Sequence, residues 1–316
     1  MAVQPASYLG SAIPADERGH MKAALLSDRG VVKVTGDDAR NFLNGLFTAD
    51  INQVTPATPR FAALLTPQGK IVLDAIVAEA PAADGGGFFL DLPRALAKTC
   101  VERLNFYRLR ARAMAEDLTE TLGVMAAWDG DAVTGYGLCY RDPRLPALGR
   151  RIMLPPHLVA DAAADLAAEL VTDTVYEAHR IALGVPRGGL DFSYGDAFPH
   201  EADMDQLQGV DFAKGCFVGQ EVVARMEHRG TARRRIVPVV YDGFAPEPGA
   251  PVTAGEKPIG TFGSSSGGRA LAMLRLDRAE DAFASGQGIV AGAVTLRLLK
   301  PDWAQFAFPG EREPTQ

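Results

Sequence analysis

The stretch Lys214-Gly-Cys-Phe-Val-Gly-Gln-Glu221 constrains this chain more than any other. Two glycines flank a thiol, so the backbone there can turn sharply and come close to another group. From Gly219 the pattern becomes helical. Val222, Val223 and Met226 recur at helical spacing and predict a buried face, and Glu221 and Arg225, four apart, pair on the opposite one. His228 and Arg229 suit the negative end of that helix, and Gly230 follows as the residue that ends it. Cys216 then lies just ahead of a helix N-terminus and beside Lys214, two features that favour a thiolate. A run of cations follows: Arg225, Arg229, Arg233, Arg234 and Arg235. Taken alone, the stretch reads more readily as a glycine turn, a buried small thiol and a solvated basic face.

The remaining composition narrows the class. With 316 residues, 47% hydrophobic and 22% charged, the chain is an ordinary globular protein of about two or three domains. A net charge of -7 argues against non-specific binding of nucleic acid over the whole surface. Cys100, Cys139 and Cys216 are far apart and odd in number, so no disulfide framework is implied. No paired-cysteine or clustered His/Cys spacing offers a complete zinc or iron–sulfur site, and no metal site is expected. These features point to a reducing cytoplasm. No apolar run is long enough to span a membrane. Residues 1–24 read as a flexible tail, in which Asp16 and Glu17 argue against a transit peptide.

Along the chain, Val31 to Val34 reads as a strand. Asp37 or Asp38 caps a helix whose buried stripe is Ala39, Phe42, Leu43, Leu46 and Phe47. Phe61 to Leu65 and Ile71 to Ala78 form a hairpin around Gly69. Phe88 to Asp91 is a strand, and Pro93 opens a helix to Tyr107. Arg108, Arg110 and Arg112 alternate with apolar residues and predict a half-exposed strand. A second unit at about 115–170 has strands near Thr121 to Ala127 and Tyr136 to Tyr140, then a helix from Pro156 to Leu170. Thr174-x-x-Glu177 reads as a capping box for a helix burying Val175, Ala178, Ile181 and Ala182. After Arg235 the texture turns to short β runs separated by Gly and Pro, which predicts a barrel over 233–309 and a tail over 310–316. Residues 25–232 form the composite α+β region.

Lys-Gly-Cys-Phe-Val-Gly-Gln-Glu with the downstream Arg225-x3-Arg229-Gly resembles the signature of the YgfZ family of folate-binding proteins, which is related to the T protein of the glycine cleavage system. Tyr176-Glu-x-x-Arg180-Ile, Gly184-x-Pro186, Phe198-Pro-x-Glu201 and Ile259-Gly are similar to further family elements, in order. The resemblance implies two interlocked α+β units of ferredoxin-like type plus a C-terminal β-barrel, three domains around a central folate channel. It implies tetrahydrofolate, or a one-carbon derivative, as cofactor. Glu201 matches an acidic loop residue that accepts hydrogen bonds from the pterin edge. Arg225, Arg229 and Arg233 supply cations for the folate carboxylates, and Lys214, Gly215, Gln220 and Glu221 complete the binding set. Where the T protein has paired aspartates, this chain has Leu73-Asp74. Asp74 remains as the one acid there, and the departure favours the YgfZ branch over the aminomethyltransferase branch.

Three functions follow. The first is a folate-binding accessory factor for iron–sulfur cluster assembly or repair, supporting enzymes that include tRNA-modifying ones. Cys216 is then the functional thiol and a transient cluster ligand, the partners are assembly proteins or client enzymes, and any tRNA link is indirect. The second is a folate-dependent aminomethyl or methyl transferase with Asp74 or Glu201 as base. The third is an RNA- or protein-binding module using the arginine run, which the acidic balance disfavours. A monomer is expected.

Overall fold

The computed structural model describes residues 20–230 and 232–311. The chain is α+β with a closed C-terminal barrel, the class that the patterning predicts. The first strand β1, Lys22–Leu25, is followed by β2 (Arg29–Thr35), helix α1 (Ala39–Leu46), the hairpin β3 (Arg60–Leu65) and β4 (Ile71–Glu79), β5 (Phe88–Pro93), helix α2 (Ala97–Arg108) and β6 (Met114–Asp117). Strands β3-β4-β5-β2-β6 form one antiparallel sheet. Along β3, Ala62 and Leu64 pack on the helix side with Leu43, Phe47, Cys100 and Leu104, while Phe61, Ala63 and Leu65 face the other way. Both faces are therefore buried, which is why this strand reads as a continuous apolar run rather than an alternating one.

The second sheet contains β7 (Gly123–Trp128), β8 (Leu138–Arg141), β9 (Arg150–Leu154) and β10 (Glu169–Leu170), in the order β10-β1-β7-β9-β8. Val124, Ala126 and Trp128 share a core with Phe61, Ala63 and Leu65 of the first sheet. Met125 and Ala127 pack on helix α3, Val159–Asp165. The two units interlock because β1, at the start of the chain, lies inside the second sheet. The expected tail over 1–24 is thus corrected at its end: Lys22 begins a strand paired with β7 and β10, and residues 1–19 lie outside the described residues. At the other end, Gly310 N–H donates to Glu280 and Glu311 pairs with Lys300, so the expected tail is anchored as far as 311, and 312–316 lie outside the described residues.

Three local expectations fail for identifiable reasons. The strand predicted over Arg108 to Ala113 is the end of α2 and a turn, in which Leu109 takes φ 45. Just past the end of β2, at Gly36, the backbone of Arg112 crosses so closely that a Cβ would meet its carbonyl oxygen at 2.1 Å. The helix predicted to reach Leu170 stops at Asp165, since Ala167 takes φ 51 and Glu169–Leu170 joins β1. Helix α4, Asp173–Ala182, starts after Thr172 without a side-chain cap, and Glu177 turns instead to Arg180 and Arg187. Its buried residues are Tyr176, Arg180 and Ile181, so the predicted apolar stripe is replaced by one that includes a buried guanidinium.

That guanidinium belongs to a set of buried ionic ties. Asp91 on β5 is fully buried and accepts from Arg29 at 2.6 Å and from Arg151 of β9 at 3.3 Å. Arg151 also reaches Asp142 at 3.2 Å and the Tyr176 hydroxyl at 3.1 Å, and Arg144 grips Asp142 with two nitrogens. Arg180 reaches Asp191 at 2.9 Å and Ser264 at 2.8 Å, tying α4 to the barrel. The barrel consists of β11 (Arg234–Tyr241), β12 (Pro251–Ala254), β13 (Lys257–Ser266), β14 (Arg269–Arg275), β15 (Ile289–Ala291) and β16 (Val294–Leu298), closed in the order β11-β14-β13-β12-β15-β16. Between β14 and β15 lies helix α6, Leu276–Ala284. The helix carrying the opening motif, α5 (Gln220–Arg229), leads into the barrel.

Burial works against charge on Asp142, yet Arg144 and Arg151 hold its carboxyl down to about 2. A folded value below the unfolded one, about 3.9, gives stability that is complete above that pH and is lost as pH falls through about 2. Asp142→Asn removes a counter-charge from two buried guanidiniums and is expected to cost about 3–5 kcal/mol near neutral pH. Urea unfolding measures this. A change below about 1 kcal/mol would show that the tie does not hold the sheets together.

Candidate functional site

The thiol loop is built before it is presented. Asp211 takes a backbone bond from its N–H to Thr48 O, and its carboxylate accepts from the N–H groups of Ala213 and Lys214. The Lys214 ammonium donates to three carbonyls at the end of α1: Asn44 at 2.8 Å, Phe47 at 2.7 Å and Ala49 at 2.7 Å. Burial draws its pKa down to about 8, against the pull of Asp50 and Asp211. Lys214 therefore anchors the loop. The expectation that it binds cofactor is corrected, because its three donors are already taken. Gln220 likewise folds back and accepts from Phe217 N–H at 2.9 Å, as a helix-start brace rather than a ligand.

The two glycines have different roles. Gly219 has φ 82 and sits on the β3–β4 turn, where a Cβ would lie 2.5 Å from Thr66 O. Gly215 has open space around it. Cys216 between them is exposed, whereas Cys139 is partly buried and Cys100 fully so. Burial, with Asp117 adding to it, pushes the Cys100 thiol up to about 12. On α5, Val223 is buried and Val222 and Met226 are half-buried. Glu221 and Arg225 pair at 2.7 Å in solvent, and Arg229 is exposed.

The other candidates divide between two cavities. One, about 530 Å³, is lined by Arg29, Asp74, Arg94, Arg144, Arg187 and Tyr194 over an apolar floor that includes Leu96 and Leu190. Asp74, 8% exposed, accepts from the Tyr194 hydroxyl at 2.9 Å and has Arg29 at 3.9 Å. Burial, then Asp74, raise the tyrosine far above its ordinary value, so the phenol keeps its proton. The second is an open cleft of about 360 Å³ between α5, the acidic loop and the barrel, with Phe198, Glu201, Val222, Met226, Arg233, Arg234 and Arg275 on its walls. Glu201 is 6% exposed, and both its oxygens are committed, one to Arg234 at 2.7 Å and one to Phe198 N–H at 3.0 Å. Glu201 and Asp74 thus do not share a pocket.

Leu73 also has a changed meaning. It is fully buried among the α1–α2 core, on the face of β4 opposite Asp74, because successive strand residues alternate. An acid at 73 would point into that core and not into the cavity. Tyr194, Arg144 and Arg187 were not singled out from the sequence as ligand-facing. The available signal was Gly188-Gly189: a Cβ on Gly188 would lie 2.2 Å from the Tyr194 ring, so a side chain must lie across that backbone.

Comparison with known proteins gives likenesses of three kinds. Residues 233–306 match the family described as CAF17, C-terminal beta-barrel domain. The chain is similar to the mitochondrial iron–sulfur cluster assembly factor IBA57 homologue of Mycosarcoma maydis, 34% identical over 70% of this chain and 57% of that protein. The corresponding protein of Coccidioides immitis is 30% identical over 74% of this chain and 60% of its own length. The matched region therefore spans rather more than half the length of these relatives. In fold, the chain is similar to the glycine cleavage system aminomethyltransferase T of Bartonella henselae, with a TM-score of 0.71 at 17% identity, covering 92% of this chain and 88% of that one. The expectation of a cytoplasmic protein is overturned by the relatives, which are mitochondrial by name.

Two predictions follow from the loop. Gly219→Ala must relieve both a positive φ and a backbone clash and should lower stability by about 2 kcal/mol or more in urea unfolding, while Gly215→Ala should be within about 0.5 kcal/mol of the parent. Equal effects would show that the turn does not seat the loop. In limited alkylation followed by mass spectrometry, Cys216 should be labelled first, Cys139 later and Cys100 only on unfolding. Early labelling of Cys100 would contradict the burial described above.

Proposed function

We propose that the protein is a tetrahydrofolate-binding accessory factor of iron–sulfur cluster assembly or repair, of the kind that its thiol motif resembles, with Cys216 as the working thiol. The observation that carries the reading is the presentation of Cys216: an exposed thiol on a loop clamped by Lys214 and Gly219, in a chain similar to proteins named as iron–sulfur cluster assembly factors. One thiolate cannot hold a cluster alone. The cluster is cargo, and the remaining ligands come from an assembly protein or a client enzyme, tRNA-modifying enzymes among them. The compartment proposed follows the mitochondrial relatives.

The folate belongs in the cavity at Asp74. Its volume of about 530 Å³ suits a small organic ligand, and its residues fit this one. The Asp74 carboxylate, oriented by Tyr194, accepts from the adjacent amide and amino groups of a pterin edge. Arg94 and Arg187 are already paired with Glu120 and Asp28, but a guanidinium carries five donors, and the spare ones hold the carboxylates of the folate tail. Bound tetrahydrofolate supplies a one-carbon carrier. A one-carbon transferase is the second reading. It is favoured by the single observation that Asp74, a carboxylate, faces the cavity while Leu73 does not.

Calorimetry with tetrahydrofolate tests the cavity. Asp74→Asn should weaken binding by about 1.5–3 kcal/mol, while Glu201→Ala should change it little; the reverse ranking would move the ligand to the open cleft. Deletion in the native host, with assays of iron–sulfur enzymes and tRNA thiolation, tests the function. Cys216→Ser should fail to restore the lost activities, and Cys139→Ser should restore them. Undiminished activity of every enzyme on deletion would overturn the assembly role and leave the transferase.

A further inference from the structure

The first ladder of the barrel sets two arginines against each other. Arg234 of β11 and Arg275 of β14 are direct partners in the antiparallel register. Their side chains therefore leave the same face of the sheet, and like charges in that position destabilise it. Both line the open cleft beside α5, and Arg233 joins them there. Two carboxylates answer the three guanidiniums. Glu201 takes Arg234 Nε, and Asp277 takes Arg275 Nε and one of its terminal nitrogens. Among the described residues, both terminal nitrogens of Arg234, the other one of Arg275 and the whole Arg233 guanidinium are left with donors to spare. The rest of the wall is largely apolar: Val222 and Met226 of α5 and Phe198 of the acidic loop, all half-buried.

We infer that this cleft docks an acidic peptide segment of a partner protein, with the segment's carboxylates on Arg233, Arg234 and Arg275 and its apolar side chains on Val222 and Met226. Guanidinium forks hold carboxylates bidentately, and an anion between Arg234 and Arg275 relieves the repulsion that their register imposes. The cleft is open, so it encloses too little of a small molecule to be its main site, while an extended or helical segment can lie along it. A single strand of nucleic acid needs aromatic faces for its bases. Phe198 is the one aromatic residue in the lining, and the Lys70 ammonium lies over its ring, 3.5 Å from the centroid. Helix α5 starts four residues after Cys216, so a segment seated on Val222 and Met226 brings its protein to the thiol. The inference rests on the proposed function for the identity of that partner, a protein that supplies cluster ligands; the chemistry of the segment rests on the cleft alone. Arg233, which the resemblance assigns to the folate carboxylates, lines this cleft and not the cavity at Asp74.

Fluorescence anisotropy of the full-length protein with a fluorescein-labelled peptide of alternating glutamate and leucine tests the cleft. The peptide should bind, and its counterpart with glutamine for every glutamate should not. Arg233→Gln combined with Arg275→Gln should weaken binding about tenfold or more. The double variant leaves only the part-exposed Asp277 without its arginine, so the fold should stand. Arg103→Gln, exposed on α2, should leave binding unchanged. Calorimetry should find tetrahydrofolate binding intact in the double variant, so the docking inference and the folate reading can fail separately. Absence of peptide binding, or binding indifferent to the double substitution, overturns the inference. Displacement of the peptide by tetrahydrofolate would give the cleft to folate, and an oligouridylate that binds more tightly than the peptide and is lost in the double variant would give it to RNA; either result also overturns it.

Discussion

Asp91 is a fully buried carboxylate between guanidiniums from two different sheets, and the rest of the architecture depends on how that charge is met. The inner faces of both sheets are apolar, and apolar contact is non-directional. Phe61, Ala63 and Leu65 against Val124, Ala126 and Trp128 favour burial without selecting one sliding position. Asp91 and Asp142 do select one. A shift between the sheets separates Asp91 from Arg151 and leaves an unpaired charge in the interior, at about 3–5 kcal/mol. The hydrophobic term thus drives the docking, and the ionic relay selects its register.

The same relay sets the character of the large cavity. Arg29 and Arg144 line it because their other bonds, to Asp91 and Asp142, fix them at its wall. A ligand-facing cation normally carries a desolvation cost, which the structural carboxylates behind these two offset. A comparable economy shapes the thiol motif. Of its eight residues, Lys214, Gly219 and Gln220 build the loop, Glu221 pairs in solvent, and Cys216 is left exposed. A conspicuous short motif need not be a list of ligands.

What was legible in the sequence follows from which forces are local. The β3–β4 hairpin was readable from Gly69 and its flanking runs, α1 from its stripe, and the barrel from repeated short strands and turns. These depend on near neighbours. The strand Arg150–Leu154 was not readable, because Arg151 is buried only by virtue of Asp91 and Asp142 far away in the chain. Strand β1 exists because it pairs with β7, and the short β10 because it pairs with β1, and no local propensity announces that. By resemblance Glu201 is a carboxylate with its oxygens open to a pterin edge. Its two partners, Phe198 N–H and Arg234, are set by the turn and by the barrel entrance. The site was half visible for the same reason: residue types were evident, and their pairings were not.

Strand β4 joins the two places where chemistry is proposed. At one end its turn touches the thiol loop, where Gly69 packs on Val222 and Gly219 on Thr66. Just inside, Ile71 exchanges backbone bonds with Ala197 and Gly195, fixing the segment that carries Tyr194. Asp74 stands five residues beyond Gly69, about 17 Å along an extended strand. On this geometry Asp74 and Tyr194 are tied to the seat of the thiol loop through β4 and its bonds to residues 195–197, not by contact. The turn that seats Cys216 and the wall that carries Asp74 are thus two ends of one strand, held by backbone bonds that leave little slack between them.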